Sequence, residues 1–245
     1  MRKQNIKIRC SSIGKIMTNS RGKAPGLSQT TKSYLKELWL ERELGIKNDF
    51  WSRYTDKGIL LEKDSITLAN NVLNWGLSFL EINEGEQKYW ENEYITGHTD
   101  VENGQILADV KTSWDATTFP FFDEHPPNKN YIYQLHGYMA LTGHSKAFLS
   151  YCLVNTPEDM VLDEIRREHW KQNSVWNGDE DEEIVEYVRS KHNFTRFPEA
   201  MRVKNFIIER DENIIKNIYE RVEACREYYH TLDQLIDTSL YANQK

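Results

Sequence analysis

The sequence GHTDVENGQILADVKTSW, residues 97–114, predicts a β-hairpin that carries charged side chains on one face. Its turn is Asn103-Gly104, a dipeptide typical of two-residue hairpin turns. Strand-forming residues flank the turn, and we predict strands over residues 87–96 and 105–112. This hairpin is the centre of the predicted fold, because the elements that follow it can add to the same sheet.

Two aspartates and a lysine lie on one face of the predicted hairpin. With a two-residue turn, Asp100 pairs with Leu107, and strand alternation places Asp109 and Lys111 on the same face. Carboxylates at diagonal positions, roughly 7 Å apart at their stems, can converge on one cation, and oxygen ligands favour Mg²⁺ or Mn²⁺. A neighbouring lysine can orient a water or stabilise charge on a phosphate. The pattern indicates metal-dependent phosphodiester hydrolysis; the alternative is an exposed Asp109–Lys111 ion pair.

A helix and two strands after the hairpin complete the predicted sheet. YIYQLHGYMALTG predicts a helix ending at Gly143, and KAFLSYCLV, residues 146–154, is apolar throughout, as in a buried strand. Strand, helix and strand in this order imply a crossover onto the same sheet. KNFIIERDE, residues 204–212, predicts an edge strand that leads into a last helix. We therefore predict an α/β fold with a mixed central β-sheet flanked by helices.

Two helices are predicted before the hairpin. One runs from Ser28, a capping residue, to Leu44, and Gly45 ends it. The other runs over residues 57–73, and Glu62 lies in its apolar stripe. The stripe consists of Ile59, Ile66, Ala69 and Leu73. An acid on a buried face needs a partner, so Glu62 is a third candidate carboxylate; the alternative is that it reaches water at the stripe's edge.

The basic residues are concentrated at the start of the chain. The net charge is −7, yet residues 1–47 hold eleven Lys or Arg and three acids, a net charge of +8. The remainder therefore carries −15. A basic segment on an acidic protein can be an electrostatic footprint for phosphates, although a scattered, solvated surface is the alternative.

Length and composition limit the remaining possibilities. The 245 residues suffice for one domain, with an insertion or cap at about 158–200 whose acidic run, Asp179–Glu183, we expect to be solvated. No apolar run is long enough to span a membrane, and the start lacks the pattern of a secretory signal. The three cysteines are far apart, which favours a reduced, cytoplasmic setting and excludes a four-thiolate iron–sulfur cluster.

These motifs, in this order, resemble the PD-(D/E)xK nuclease superfamily, and within it the YqaJ-type viral recombinases related to the lambda phage exonuclease. RCSSIGKIM (9–17) is similar to the family's N-terminal phosphate-binding segment, and DKGILLEKDSITLA (56–69) to its G-x3-E helix. YIYQLHGYMALTG (131–143) is similar to its Q-x3-Y helix. ADVK carries D-x-K where the family commonly has E-x-K. The resemblance implies a restriction-endonuclease-like core.

Motifs and resemblance together assign roles to individual residues around the hairpin. Asp100 and Asp109, with the main-chain carbonyl of Val110, would hold Mg²⁺ or Mn²⁺. Glu62 would bind a second metal or a metal-bound water. The catalytic set adds Lys111, which would orient the attacking water, and Gln134, which would position Lys111 or the phosphate.

The substrate-binding residues follow from the same resemblance. The candidates are Ser11, Arg9, Lys15, Tyr131 and Tyr138. The family's N-terminal arginine that grips a 5′ phosphate has no single match here, and Lys7 and Arg2 are further candidates beside Arg9 and Lys15. We therefore leave the choice among these basic residues open.

The resemblance implies a metal-dependent exonuclease that degrades linear double-stranded DNA from its ends, 5′ to 3′, in phage-type recombination or repair. It also implies a single-strand annealing protein as partner and a ring-shaped homotrimer. Two alternatives stay open. One is an endonuclease or a RecB/Cas4-like repair nuclease, and the other is a catalytically inactive DNA-binding protein of the same fold.

Overall fold

The computed structural model describes residues 5–20, 26–47, 52–85, 87–171 and 181–242. Its strands are β1 (Ile8–Arg9), β2 (Tyr89–Glu91), β3 (Ile95–His98), β4 (Val101–Glu102), β5 (Leu107–Thr112), β6 (Lys146–Cys152) and β7 (Val203–Glu209). Its helices are α1 (Ile13–Ile16), α2 (Gln29–Leu44), α3 (Arg53–Leu60), α4 (Glu62–Leu73), α5 (Phe79–Asn83), α6 (Lys129–Thr142), α7 (Glu158–Lys171), α8 (Glu182–His192) and α9 (Glu212–Ala242). Short 3-10 turns cover Cys10–Ser12 and Glu199–Met201.

A four-stranded mixed sheet, in the order β4-β5-β6-β7, carries the predicted hairpin. Strands β5 and β6 are parallel, with Asp109 opposite Leu149, and β7 runs antiparallel to β6 at the edge. Helix α6 connects β5 to β6, which confirms the predicted crossover and the mixed sheet flanked by helices. The crossover brings α6 against the face of β5 that carries Asp109.

A three-stranded sheet, β1-β3-β2, replaces the single strand predicted over residues 87–96. Asn92 interrupts that segment, because its Oδ1 accepts hydrogen bonds from the N–H groups of Tyr94 (2.8 Å) and Ile95 (2.9 Å). This side-chain turn lets β2 and β3 pair as an antiparallel hairpin. The prediction of one strand was therefore wrong, and the chain passes from this sheet to the other just after β3.

The register of the β4–β5 hairpin differs from the prediction by two residues. Glu102 pairs with Leu107, so the loop has four residues, 103–106, rather than two. The side chain of Asn103 accepts hydrogen bonds from the N–H groups of Gln105 (3.1 Å) and Ile106 (2.9 Å), which stabilises the longer loop. A shift of two residues keeps every side chain on its predicted face. Asp100 lies in the bend before β4, where the same register extended would set it opposite Asp109.

The helix predicted over residues 57–73 is two helices, α3 and α4. The backbone leaves the helical conformation at Leu61 (φ −106°, ψ 15°), so that Leu61 is buried whereas Ile59 is 70% exposed. The break makes Glu62 the first residue of α4, near the positive end of that helix. The predictions for α2 are confirmed: the Ser28 side chain accepts a hydrogen bond from the N–H of Thr31, and Gly45 ends the helix with φ 68°.

Helix α6 packs closely against the three-stranded sheet and α1. A Cβ on Gly97 would lie 2.8 Å from the Tyr138 ring, and one on Gly137 would lie 2.6 Å from Ile13, so both positions need glycine. The long helix α9 reaches the same region through Arg226. This buried guanidinium donates to the carbonyls of Ile6 (3.1 Å) and Glu93, and so holds the N-terminal segment beside β3.

The segment predicted as an insertion contains α7 and α8, which pack on each other through an apolar cluster of their own. Arg53 forms an ion pair with Glu164, and the Thr156 hydroxyl lies 2.9 Å from Nδ1 of His192. Part of the predicted acidic run, residues 179–180, lies outside the described residues. In the part of the chain that the structure describes, every helix is too short or too polar to cross a membrane.

Candidate active site

Asp109 occupies the middle of β5 and is fully buried, 0% exposed. Its neighbours Ala108 and Val110 point to the opposite face and pack under α4, so the acid faces α6. There the Gln134 Nε2 donates a hydrogen bond to Asp109 Oδ1 at 2.8 Å and another to the Tyr138 hydroxyl at 2.9 Å. Both amide hydrogens are thereby used, which fixes the orientation of the Gln134 side chain.

Lys111 lies next to Asp109 on the same face. Its Nζ is 2.6 Å from Asp109 Oδ2 and 4.8 Å from the centre of the Tyr131 ring. The ammonium of Lys111 thus engages Oδ2, the oxygen of Asp109 that Gln134 leaves open. Burial lowers the pKa of Lys111, but the charges of Asp109 and Asp100 outweigh burial and hold that pKa above its ordinary value. Lys111 therefore stays cationic.

Asp100 approaches β5 from the bend between β3 and β4. Its Oδ2 accepts a hydrogen bond of 2.8 Å from the N–H of Val110. Burial of its carboxylate, and then the negative charge of Asp109, raise the pKa of Asp100 to about 8.

The main chain of Val110 offers a further oxygen on this side of β5. In an extended strand the N–H and C=O of one residue point to the same side. Because the Val110 N–H faces Asp100, its carbonyl faces the same space. The Val110 carbonyl, the predicted main-chain ligand, therefore points to the side of β5 on which Asp100 lies.

Glu62 lies apart from the two aspartates, in a cleft of about 370 Å³ that Asp100 also lines. Its Oε1 accepts a hydrogen bond of 2.7 Å from Nε2 of Gln87. Among the described residues, no three His, Cys, Asp or Glu side chains are close enough to form one ligand group. The structure thus brings Asp100 and Asp109 together, whereas Glu62 lies outside this pair, on the wall of the cleft that Asp100 also lines.

The residues present fit one divalent cation. The carboxylates of Asp109, which is buried, and Asp100, which is partly buried, lie close enough to interact electrostatically, and the Val110 main chain lies beside Asp100. Carboxylate and carbonyl oxygens are hard donors of the kind that Mg²⁺ and Mn²⁺ prefer.

The N-terminal candidates lie in β1, the 3-10 turn and α1, and the turn and α1 pack against α6. Ser11, Arg9 and Lys15 are all exposed. The Arg9 guanidinium is engaged by Glu41, with both contacts at 2.8 Å, and Lys15 Nζ lies 5.1 Å from the centre of the Tyr34 ring. Lys7 is paired with Glu91 at 2.8 Å. Arg2, the remaining candidate, lies outside the described residues.

The two tyrosine candidates have different surroundings. Tyr131 is partly exposed and lies beside Lys111. Tyr138 is 4% exposed, and its hydroxyl accepts a hydrogen bond from Gln134, so the structure shows it in contact with Gln134 inside the α6 interface. The helical period alone could not reveal this burial.

Two residues near the site were missed by the sequence predictions. Gln87 contacts Glu62, and the fully buried Lys57, 1% exposed, donates to the carbonyls of Ser113 (3.1 Å) and Trp114 (2.7 Å) just after β5. Neither has a local signal, because each contact joins residues distant in sequence. Only a model of the tertiary fold could have identified them.

Comparisons with known proteins identify solved structures that are similar to the whole chain. A phage-related exonuclease from Haemophilus somnus 129PT is 30% identical over 96% of this chain and 97% of its own, with a TM-score of 0.70. LHK-Exo, an alkaline exonuclease from Laribacter hongkongensis, is 17% identical over 96% and 94% of the two chains, with a TM-score of 0.62; it is also known in complex with dAMP. No family model and no curated protein matches the sequence.

Proposed function

Because the chain belongs to the family of phage-related exonucleases, we propose that it removes nucleotides from the ends of linear double-stranded DNA in a reaction that requires Mg²⁺ or Mn²⁺. The observation that supports the proposal best is the buried Asp109, held by Gln134 on one oxygen and approached by Lys111 on the other. Beside this pair, burial and the charge of Asp109 raise the pKa of Asp100, which costs stability that an ordinary hairpin would have no reason to accept.

Asp100, Asp109 and the Val110 carbonyl are the residues that would hold the cation. When bound, the ion would polarise the phosphate and lower the pKa of a water. Gln134 keeps Asp109 in one orientation, since its amide is anchored at the same time by Tyr138. Glu62 would bind a water on the cation, or a second ion.

Lys111 contributes as a cation. Its pKa, which Asp109 and Asp100 hold above the ordinary value, favours the protonated ammonium at neutral pH. This ammonium would stabilise the negative charge that develops on the phosphate and donate a hydrogen bond that orients the attacking water. Tyr131, under the same ammonium, limits the directions in which Lys111 can move.

The N-terminal surface would bind the 5′-phosphorylated end and so set a 5′-to-3′ direction. Ser11, Arg9 and Lys15 supply hydroxyl and cationic donors that suit a terminal phosphate. Arg9 is already paired with Glu41, so a phosphate would have to displace that carboxylate. The exchange would favour a dianionic terminal phosphate over an internal phosphodiester.

We place this activity in phage-type recombination or repair, with residues 1–245 as a single nuclease domain and α7–α8 as its cap. A single-strand annealing protein would take over the exposed strand. A homotrimeric ring around DNA would explain how a chain with a net charge of −7 stays on its substrate.

Digestion of linear and covalently closed circular duplex DNA, with Mg²⁺ and with excess chelator, tests the proposal. We expect the linear form alone to be degraded, only with the metal, and Asp109→Asn to be inactive. Nicking of closed circles would support an endonuclease instead. Binding of DNA without cleavage of either form would support the inactive DNA-binding alternative, and full activity in chelator would end the metal requirement.

A further inference from the structure

Gln87 lies beside Glu62 at the cleft that opens onto Asp100. Its Nε2 donates a hydrogen bond of 2.7 Å to Glu62 Oε1, although 25 residues separate the two. Gln87 precedes β2, and Glu62 begins α4, so the contact joins two separate elements. Both residues line the cleft together with Asp100.

The chemistry of this contact suits a carboxylate that must keep its charge. The next residue, Lys88, also lines the cleft, but its ammonium pairs with Glu102 at 2.8 Å. Glu62 therefore receives a neutral amide and not an ammonium. A neutral donor fixes a carboxylate's orientation without cancelling its charge, whereas a lysine in the same place would compete with a metal ion.

The hydrogen bond also makes the two carboxylate oxygens of Glu62 different from each other. Gln87 engages Oε1, and within the described residues no other hydrogen bond to Glu62 is present, which leaves Oε2 for another ligand. Without the amide, an exposed glutamate at the first position of a helix would sample several rotamers. With it, one oxygen is held and the other has a defined direction.

We propose that Gln87 is a positioning residue that orients the Glu62 carboxylate toward a divalent cation, or a water on that cation, in the Asp100 cleft. The inference rests on the proposed metal-dependent function. Residues that hydrogen-bond a metal's ligands typically change metal affinity 10- to 100-fold when they are removed. Because Gln87 is exposed and Glu62 is not buried, we expect the lower end of that range.

Mn²⁺ binding by calorimetry, with the intact chain and no DNA, tests the inference. We expect Gln87→Met, which keeps the length of the side chain but removes the amide, to weaken Mn²⁺ binding about tenfold. In a Glu62→Ala background the same change should have no further effect, because its target is gone. Gln29→Ala, which removes an exposed glutamine hydrogen bond at the start of α2, is the matched control and should bind Mn²⁺ like the parent.

The outcomes separate this inference from the proposed function. If the parent itself binds no Mn²⁺, the proposed metal dependence fails. If the parent binds, and Glu62→Ala weakens binding while Gln87→Met leaves it unchanged or makes it tighter, only the role of Gln87 is overturned. An equal loss in both backgrounds also overturns it, since Gln87 would then act on something other than Glu62.

Discussion

The ammonium groups of Lys111 and Lys57 lie along β5 and just beyond its end, and they differ in the polar groups that they contact. Lys111 faces two carboxylates, and its pKa is held above the ordinary value despite burial. Lys57 faces two carbonyl groups beyond the end of β5, and burial lowers its pKa to about 8. The one acid that acts on it, Asp115, already accepts from Thr117 and Thr118.

The difference shows what each region can do. Carbonyl dipoles offset only part of the cost of burying an ammonium, whereas a carboxylate in contact offsets more than all of it. The charge of Lys57 also acts on His192. Burial, and then this charge, lower the pKa of His192 to about 4. The carboxylates around Lys111 thus keep a positive charge in place where a negatively charged group could approach. The contacts of Lys57 instead join α3 to the end of β5, beside the end of α8.

The largest expected effect is a loss of DNA cleavage when the carboxylate region around Lys111 is altered. Lys111→Ala and Asp109→Asn should each lower DNA cleavage by two or more orders of magnitude, because lost electrostatic stabilisation of a transition state typically costs about 3–4 kcal/mol. Turnover on linear DNA at saturating Mg²⁺ measures the loss. Lys57→Met should keep turnover within about threefold of the parent, since Lys57 does not face the reacting groups. Parental turnover in both Lys111→Ala and Asp109→Asn would contradict the assignment.

The pH dependence of stability isolates Lys57. Its folded pKa, about 8, lies below the ordinary 10.5, so above pH 8 the unfolded chain binds more protons than the folded one. Stability from this group therefore rises with pH between about 8 and 10.5, by up to about 3 kcal/mol. Urea unfolding of the parent and of Lys57→Met at pH 7, 8, 9 and 10 should show this rise in the parent only. Parallel curves would mean that Lys57 keeps an ordinary pKa.

A smaller effect concerns the proton on Asp100. With a pKa of about 8, Asp100 is protonated at pH 6.5, and a cation must expel that proton to bind. Mn²⁺ affinity should rise up to about tenfold per pH unit below 8 and level off above it, because one proton is released. Calorimetry in buffers with different ionisation enthalpies counts the protons, and Asp100→Asn should release none. A count that does not fall from pH 6.5 to pH 9 would refute this.

The smallest expected effect concerns Arg9, a cationic side chain that is exposed to solvent. Arg9 is exposed and paired with Glu41, so Arg9→Ala should change the free energy of unfolding by no more than about 1 kcal/mol. If Arg9 binds a terminal phosphate, the same variant should lose part of the parent's preference for 5′-phosphorylated over 5′-hydroxyl DNA. Lys36→Ala, an exposed cation on α2, should keep that preference. An undiminished preference in Arg9→Ala would remove Arg9 from the end-binding set.

Local signals in the sequence were sufficient for several elements. The Ser28 cap, the glycines at 45 and 143, and the apolar run of β6 predicted α2, α6 and the crossover, because caps and periodicity act within a few residues. The face shared by Asp109 and Lys111 was also predicted, since alternation survives a register shift of two. These features depend on the backbone period alone.

Competing side-chain hydrogen bonds and distant contacts account for what was missed. Asn92 formed a turn that strand propensity did not predict, Asn103 lengthened the predicted turn from two residues to four, and burial of Leu61 split one helix into two. Gln87 and Lys57 act across 25 and about 56 residues of sequence, so no local period marks them. The two aspartates, Lys111 and Gln134 could be proposed from the sequence, whereas the contact of Gln87 with Glu62 required the tertiary fold.

The contact between Arg226 and Ile6 bears on the order of events during synthesis. It joins residues 220 positions apart, and the same guanidinium holds the segment that precedes the N-terminal turn. At roughly 5–20 residues per second, a ribosome needs on the order of ten seconds or more to make the intervening chain. From their own synthesis until Arg226 is made, Asp100 and Asp109 exist without the anchor for the N-terminal segment. That segment, which carries the proposed end-binding residues Arg9 and Ser11, therefore cannot be fixed by Arg226 until this part of α9 has emerged.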